Sequence, residues 1–313
     1  MTVRLGTRGS ALALAQAGRI RDAVVALGRP CELVVVTTAG DVSKASLAQI
    51  GGTGVFAGAL RSALVDGEVD LVVHSLKDLP VAPAAGLVVA GVPQREDARD
   101  VLCARDHLRL ADLPAGAAVG TGSPRRHAQL ADRRPDLQVV DLRGNVDTRL
   151  SRVRDGALDA VVLSRAGLAR LGRLDAVTEV LGLDEWPTAA GQGALALEVR
   201  EADADPSTAL GALVAALTDP VARDAAVAER RVLALLEAGC AAPIGVASAV
   251  EQGSAALWAS VHRPGGGARI DRRRSVTFPA ADRAATLLAA AEALAADLLA
   301  AGAADLAPLG ASA

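Results

Sequence analysis

Aromatic residues are almost absent from this 313-residue chain, which has two Phe, two Trp and no Tyr. Its core must be packed from Ala, Val and Leu, within a composition that is 51% hydrophobic and 22% charged. A general nucleic-acid binder stacks bases on aromatic rings along a basic groove. This chain lacks the rings and the basic excess, with a net charge of −3 and a pI near 5.9. Lysine is equally scarce. Lys44 and Lys77 stand alone, so 31 of the 33 basic residues are arginine, and where these cluster matters more than their total. Cysteine is limited to Cys31, Cys103 and Cys240. An odd number at wide spacing argues against a disulfide framework and a zinc cluster, and no metal is expected. No apolar run approaches the roughly 18 residues of a membrane span, and MTVRLGTRGSALALAQ has no long hydrophobic region of the signal-peptide kind. The expectation is a soluble, unexported cytoplasmic protein without membrane or nucleic-acid partners. Its length leaves room for two or three domains.

What is present is an alternation of strand and helix patterns, the mark of an α/β fold. Val3–Gly6 reads as a strand, Thr7–Ser10 as a turn, and Ala11–Leu27 as a helix with Leu12, Ala15, Ile20, Ala23, Val24 and Leu27 on its apolar side. Cys31–Thr37 reads as a buried strand, so Cys31 is structural. A helix follows from Val55 to about Gly67, then an apolar strand, Val69–Val73. That strand runs into His74, Ser75, Lys77, Asp78 and Pro80. In open α/β sheets ligands bind beyond the carboxyl ends of strands, and this cluster includes one of only two lysines.

A second run begins after the polar stretch Gln94–Asp100. Ala117–Gly120 leads into Thr121, Gly122, Ser123 and Pro124, with Arg125 and Arg126 opening the next helix. Hydroxyls and backbone N–H groups at a helix start, with guanidinium groups beside them, suit an anion. No Gly-Lys-Ser/Thr follows, so this is not a Walker loop. Val139–Leu142 is followed by Arg143, Gly144, Asn145 and Arg149, and Asp159–Leu163 by Arg165 and Arg170. Three successive strand ends thus carry arginine, whose planar fork matches carboxylates and phosphates. Pro187–Glu198 is a Gly-rich connection returning to the first run; in it Gln192 either faces a cleft or is a simple loop residue.

Beyond about Asp205 the pattern changes. Thr218, Asp219 and Pro220 start a helix that runs to Glu237. Ala247–Val250, Ala255–Val261 and Arg274–Phe278 read as a small antiparallel sheet, Asp282–Ala300 as its covering helix, and Arg272–Arg274 as a solvated strand edge. Between helix and sheet lies LLEAGCAAPIG, Leu235–Gly245. A lone Cys in such surroundings is ordinarily a small buried hydrophobe. Gly239 suits a left-handed helix cap, and small neighbours leave room for a group on the Cys240 sulfur, so the residues alone leave both roles open.

Eight stretches in order, TRGSALALAQ, HSLKDLP, REDARDVL, VGTGSPRRHAQL, LRGNVDTRL, AGLARLG, GQGALALE and LEAGCAAPIG, resemble the porphobilinogen deaminase (hydroxymethylbilane synthase) family over nearly the whole chain. The resemblance implies a transferase of tetrapyrrole and heme biosynthesis. Four porphobilinogen molecules are joined head to tail with loss of four ammonia, and hydrolysis then releases linear 1-hydroxymethylbilane. It implies a dipyrromethane cofactor on a thioether to Cys240, and Asp78 as catalytic residue. Cofactor contacts fall on Lys77, Ser75, Thr121, Ser123, Arg125, Arg126, Arg143 and Gly144, and substrate contacts on Arg8, Ser10, Arg149, Arg170 and Gln192. Three domains are implied: 1–93 with 194–212, and 99–187, both similar to type II periplasmic-binding-protein lobes, then a smaller α+β domain, 217–313, with a three-stranded sheet. A monomer is expected. The chain departs from the family pattern at Thr53 and Gly58, where lysines are common, and at Gly122 and Pro124. A non-catalytic anion-binding protein would share the lobes and arginines but leaves Cys240 and the third domain unexplained.

Overall fold

The structure, a computed structural model, describes residues 2–37, 54–239 and 242–309. The chain divides into two compact units. One comprises the chain through Glu96 with Ala194–Arg223, and the other Asp97–Gly193 with the chain from Asp224 on.

The first unit is built on a five-stranded sheet, β1 (Val3–Thr7), β2 (Cys31–Val35), β3 (Leu71–Ser75), β4 (Leu87–Gly91) and β10 (Leu195–Arg200), in the order β2-β1-β3-β10-β4. β1 runs parallel to β2 and β3, and β10 runs antiparallel to β3 and β4. Helices α1 (Ala11–Ala26) and α6 (Ala209–Leu217) cover one face, where Ile20, Val24 and Val214 pack on Leu5, Leu71 and Leu197. Helix α2 (Gly54–Val65) covers the other through Leu60 and Leu64 against Val69 and Val72. Each buried aliphatic side chain contributes about 1.5–3 kcal/mol, and these two layers replace the missing rings.

The second unit repeats the pattern. Strands β5 (Asp100–Ala104), β6 (Ala118–Gly120), β7 (Gln138–Val140), β8 (Ala160–Ser164) and β9 (Glu179–Val180) take the order β7-β6-β8-β5-β9. β6 is parallel to β7 and β8, and β5 is antiparallel to β8. Helices α3 (Pro124–Arg133), α4 (Val146–Arg154) and α5 (Arg165–Leu171) follow β6, β7 and β8. Cys103 lies inside this core at 2% exposure, and burial pushes its thiol up to about 12. Burial also raises the Cys31 thiol, so neither is poised as a nucleophile.

The same unit holds a three-stranded antiparallel sheet, β11 (Ile244–Glu251), β12 (Ser254–His262) and β13 (Arg269–Thr277), packed on α7 (Pro220–Leu235) and α8 (Arg283–Ala300). Its strands are longer than the apolar runs that signalled them, because β13 is an edge strand whose outward residues are arginines. Arg273 pairs with Asp184 and lies over Trp258, and Arg274 pairs with Asp297; a charged edge resists pairing with other chains. Two sequence expectations change. The polar stretch before residue 100 ends in strand β5, and the helix closure of α7 falls on a left-handed Glu237 (φ 48°) rather than on Gly239. The amide of Glu237 donates to the Ala234 carbonyl and that of Ala238 to Leu233, a Schellman closure that puts the strained position two residues earlier.

Asp132 of α3 accepts from His262 Nδ1 and Gly267 N, while His262 Nε2 meets Ser260 Oγ at 2.8 Å. His262 is 1% exposed. Its burial, against the opposing pull of Asp132, holds it below its ordinary value of 6.5. The unfolded chain therefore takes up this proton first, and the stability the imidazole provides is present above about 6.5 and is lost as pH falls toward the lower folded value. In urea unfolding at pH 7.5 and 5.5, the stability gap between wild type and His262→Asn is expected to shrink at the lower pH. An unchanged or wider gap contradicts this.

Candidate active site

In the first unit the chain leaves β1 through Arg8, Gly9 and Ser10. Ser10 caps α1 by accepting from the Ala13 amide at 3.3 Å. β3 ends at Ser75, and a single 3₁₀ turn, Leu76–Asp78, follows. Leu76 and Leu79 are buried at 2% and 4%, which anchors the turn at both ends and leaves Lys77 half-buried and Asp78 exposed. Arg8, Ser10, Gln16, His74, Ser75 and Asp78 thus line one cavity of about 90 Å³, floored by Leu12, Leu60 and Val73. Gln16 was not anticipated here, whereas His74 belongs to the polar cluster already marked at the end of this strand. Gln16 lies on the buried side of α1 and donates to Ser75 Oγ at 2.9 Å; the signal was a glutamine interrupting an otherwise apolar helix face.

In the second unit, β6 ends at Gly120, and Ser123 caps α3 by accepting from the Arg126 amide, with Pro124 at the first helical position. Thr121 Oγ1 accepts from the Ser123 amide. A side chain at Gly122 would place its Cβ 2.6 Å from the Leu142 carbonyl oxygen, so a larger residue there would have to shift the backbone after β7. After β7, Asn145 caps α4 through the Thr148 amide, and Arg149 Nε donates to the Gly144 carbonyl at 2.9 Å. Arg143 is exposed, 3.7 Å from Asp141. Arg170 donates to the Gly193 carbonyl.

Arg125 and Arg126 do not point to solvent. At 4% and 6% exposure they enclose Asp100, the first residue of β5. Arg126 donates through Nε and Nη2 at 3.1 and 2.6 Å, and Arg125 through Nη2 at 2.9 Å. Trp186 Nε1 adds a bond at 3.0 Å and Gln192 Nε2 one at 2.8 Å. Burial alone would raise the Asp100 carboxyl, but Arg126 and Arg125 hold it far below its usual range. Gln192, fully buried, also donates to the Ala98 carbonyl at 2.7 Å. The 187–193 segment is fixed further by Arg125 and Gln129 on the Pro187 carbonyl and by the Gly191 amide on Glu229. Cys240 and Thr53 lie outside the described residues. At Gly58 an added Cβ meets nothing within 4 Å, so packing does not demand glycine there. Among the described residues, no group of His, Cys, Asp and Glu could hold a metal ion, and no helix is long and apolar enough to cross a membrane.

Residues 3–208 match the family model described as porphobilinogen deaminase, dipyromethane cofactor binding domain, and residues 224–295 match porphobilinogen deaminase, C-terminal domain. The chain belongs to the porphobilinogen deaminase family. It is 58% identical to the porphobilinogen deaminase of Leifsonia xyli over 98% of this chain and 94% of the relative. It is 52% identical to that of Thermobifida fusca, over 91% and 90%. Solved structures with similar chain paths include a periplasmic substrate-binding protein of an ABC transporter from Coxiella burnetii (18% identity, 73% of this chain, 96% of that chain, TM-score 0.44) and the methionine-binding protein MetQ (13%, 73%, 94%, TM-score 0.45).

As a member of this family, the enzyme is a transferase that makes hydroxymethylbilane in tetrapyrrole biosynthesis, and its dipyrromethane cofactor bears acetate and propionate groups. The donor set suits those carboxylates: two hydroxyls and a helix N-terminus at Thr121–Ser123, and the exposed guanidinium of Arg143. Removing the charge at the centre of the buried cluster tests its weight. Asp100→Asn leaves two buried guanidinium groups uncompensated and is expected to cost about 3–5 kcal/mol or to prevent folding. A loss below about 1 kcal/mol in denaturant unfolding contradicts that.

Proposed function

We propose that Asp78 is the catalytic carboxylate and that the arginine-bearing loops of the second unit hold ligand carboxylates. The supporting observation is the gathering of Arg8, Ser10 and Asp78 around one cavity at the carboxyl ends of β1 and β3. In each of four condensations the aminomethyl C–N bond breaks and its electron pair leaves with nitrogen as ammonia. The methylene carbon then bonds to a free pyrrole carbon of the growing chain, which gives up its ring proton. Asp78 offers a carboxylate that accepts pyrrole N–H bonds, balances the positive charge that grows as ammonia departs, and takes the ring proton. Water finally releases linear 1-hydroxymethylbilane.

The dipyrromethane, when bound to Cys240 by a thioether, supplies the ring carbon from which the chain is extended. Cofactor carboxylates are assigned to Ser75, Lys77, Thr121, Ser123, Arg143 and Gly144, and substrate carboxylates to Arg8, Ser10, Arg149 and Arg170. Arg125, Arg126 and Gln192 serve chiefly by keeping those loops in place, since Asp100 already engages all three. The same reading divides the chain into domains at 1–93 with 194–212, 99–187 and 217–313. It works as a cytoplasmic monomer without nucleic-acid or membrane partners, in keeping with its acidic balance and few aromatic residues.

Asp78→Asn should lower turnover at least about 100-fold. Because Asp78 is exposed, the unfolding free energy should stay within about 0.5 kcal/mol of wild type. More than a tenth of wild-type turnover in the folded variant would falsify the assignment.

A further inference from the structure

The cavity beside Asp78 has a second titratable side chain that the assignments above leave unused. His74 in β3 is 8% exposed and lines the cavity, with its Nε2 3.0 Å from Glu198 Oε2 on β10. Glu198, 1% exposed, is also gripped by Arg61 of α2, whose Nε and Nη2 lie 2.8–3.1 Å away. Burial works to raise the Glu198 carboxyl, but hydrogen bonds from His74 and Arg61 hold it below its ordinary value. It is therefore a carboxylate at neutral pH, and a carboxylate only accepts. The hydrogen of a neutral His74 ring must sit on Nε2, which leaves the lone pair on Nδ1.

The substrate's chemistry gives that lone pair a use. Porphobilinogen carries two carboxylates and an aminomethyl group that is an ammonium at neutral pH. Arg8 is the cavity's guanidinium and suits a carboxylate. Gln16 and Ser75 are bonded to each other, and Asp78 is assigned to the pyrrole N–H. We propose that His74 is a specificity-determining residue of this cavity, accepting through Nδ1 from the ammonium, and that Glu198 is the positioning residue holding the ring in the required tautomer. The proposal rests on reading the cavity as the substrate site. Glu198 of β10 bonds the ring, Arg61 of α2 pairs with Glu198, and Arg8 and Asp78 line the same cavity.

Two variants of the holoenzyme separate the ring nitrogens. His74→Gln extends an amide nitrogen toward Glu198 and removes the Nδ1 acceptor; His74→Asn keeps an oxygen near Nδ1 and gives up Glu198. Steady-state kinetics with porphobilinogen should show KM raised about 10- to 100-fold in His74→Gln, the range for losing a hydrogen bond to a charged group. The rise should be smaller in His74→Asn, and kcat should change less than KM in both. Glu198→Gln, which no longer dictates a hydrogen on Nε2, should raise KM as well. Equal KM values in the two variants, or a higher KM in His74→Asn, would overturn the proposal. If a His74 variant does not fold, an unchanged KM in Glu198→Gln overturns the proposal. Turnover surviving in Asp78→Asn would instead sink the reading of the cavity, whatever the His74 variants show.

Discussion

Asp100 sits wholly out of water between two guanidinium groups, and much of the second unit depends on that contact. Burying an ion costs several kcal/mol unless its lone pairs are filled. Here five hydrogen bonds fill them, from Arg125, Arg126 twice, Trp186 and Gln192. Those donors come from three places: the start of α3, the end of the second run, and the Gly-rich segment before β10. One carboxylate therefore fixes the entry of α3, and with it Thr121 and Ser123. It also fixes the 187–193 segment, which Glu229 of α7 holds from another side. Two cations against one anion leave the cluster net positive, a fitting foundation for loops proposed to take anionic ligands.

The first unit solves a different problem with the same means. Its turn after β3 must expose Asp78 on short backbone, and it does so by burying Leu76 and Leu79 on either side. Behind it, half-buried Arg61 pairs with buried Glu198, which His74 also bonds, and the three tie α2 to β3 and β10. Each unit thus backs an exposed set of polar groups with a sealed, charge-paired layer, and the aliphatic cores on both sheet faces supply most of the stabilising burial.

Much of this was legible in the residues. Strand and helix periodicity located β1, β3, β6 and β8, because apolar runs ending in Gly or polar clusters admit few other readings. The motif stretches located Asp78, Arg8 and Ser10 in one family, and the structure gathers them at one cavity. What sequence did not reveal is pairing across long separations. Asp100 reads as one more polar residue before a strand, since its partners lie 25 to 92 positions away. Glu198 and His74 are 124 apart, and nothing local marks either as buried. The arginines were expected to face a ligand for the same reason: periodicity shows that Arg125 and Arg126 open a helix, not which carboxylate they meet. Gly239 looked like the helix cap because glycine is the usual choice there, yet the hydrogen bonds closing α7 put Glu237 in that conformation.

In the proposed function these buried layers hold groups that serve a product built on a tethered cofactor, and the tether is the claim on which the account turns. Intact-protein mass spectrometry of the enzyme from cells able to make porphobilinogen tests it most directly. The account predicts a protein heavier than its sequence by two linked pyrrole units, an increment lost in Cys240→Ser. A folded protein at its unmodified sequence mass, or an increment that survives in Cys240→Ser, would contradict it.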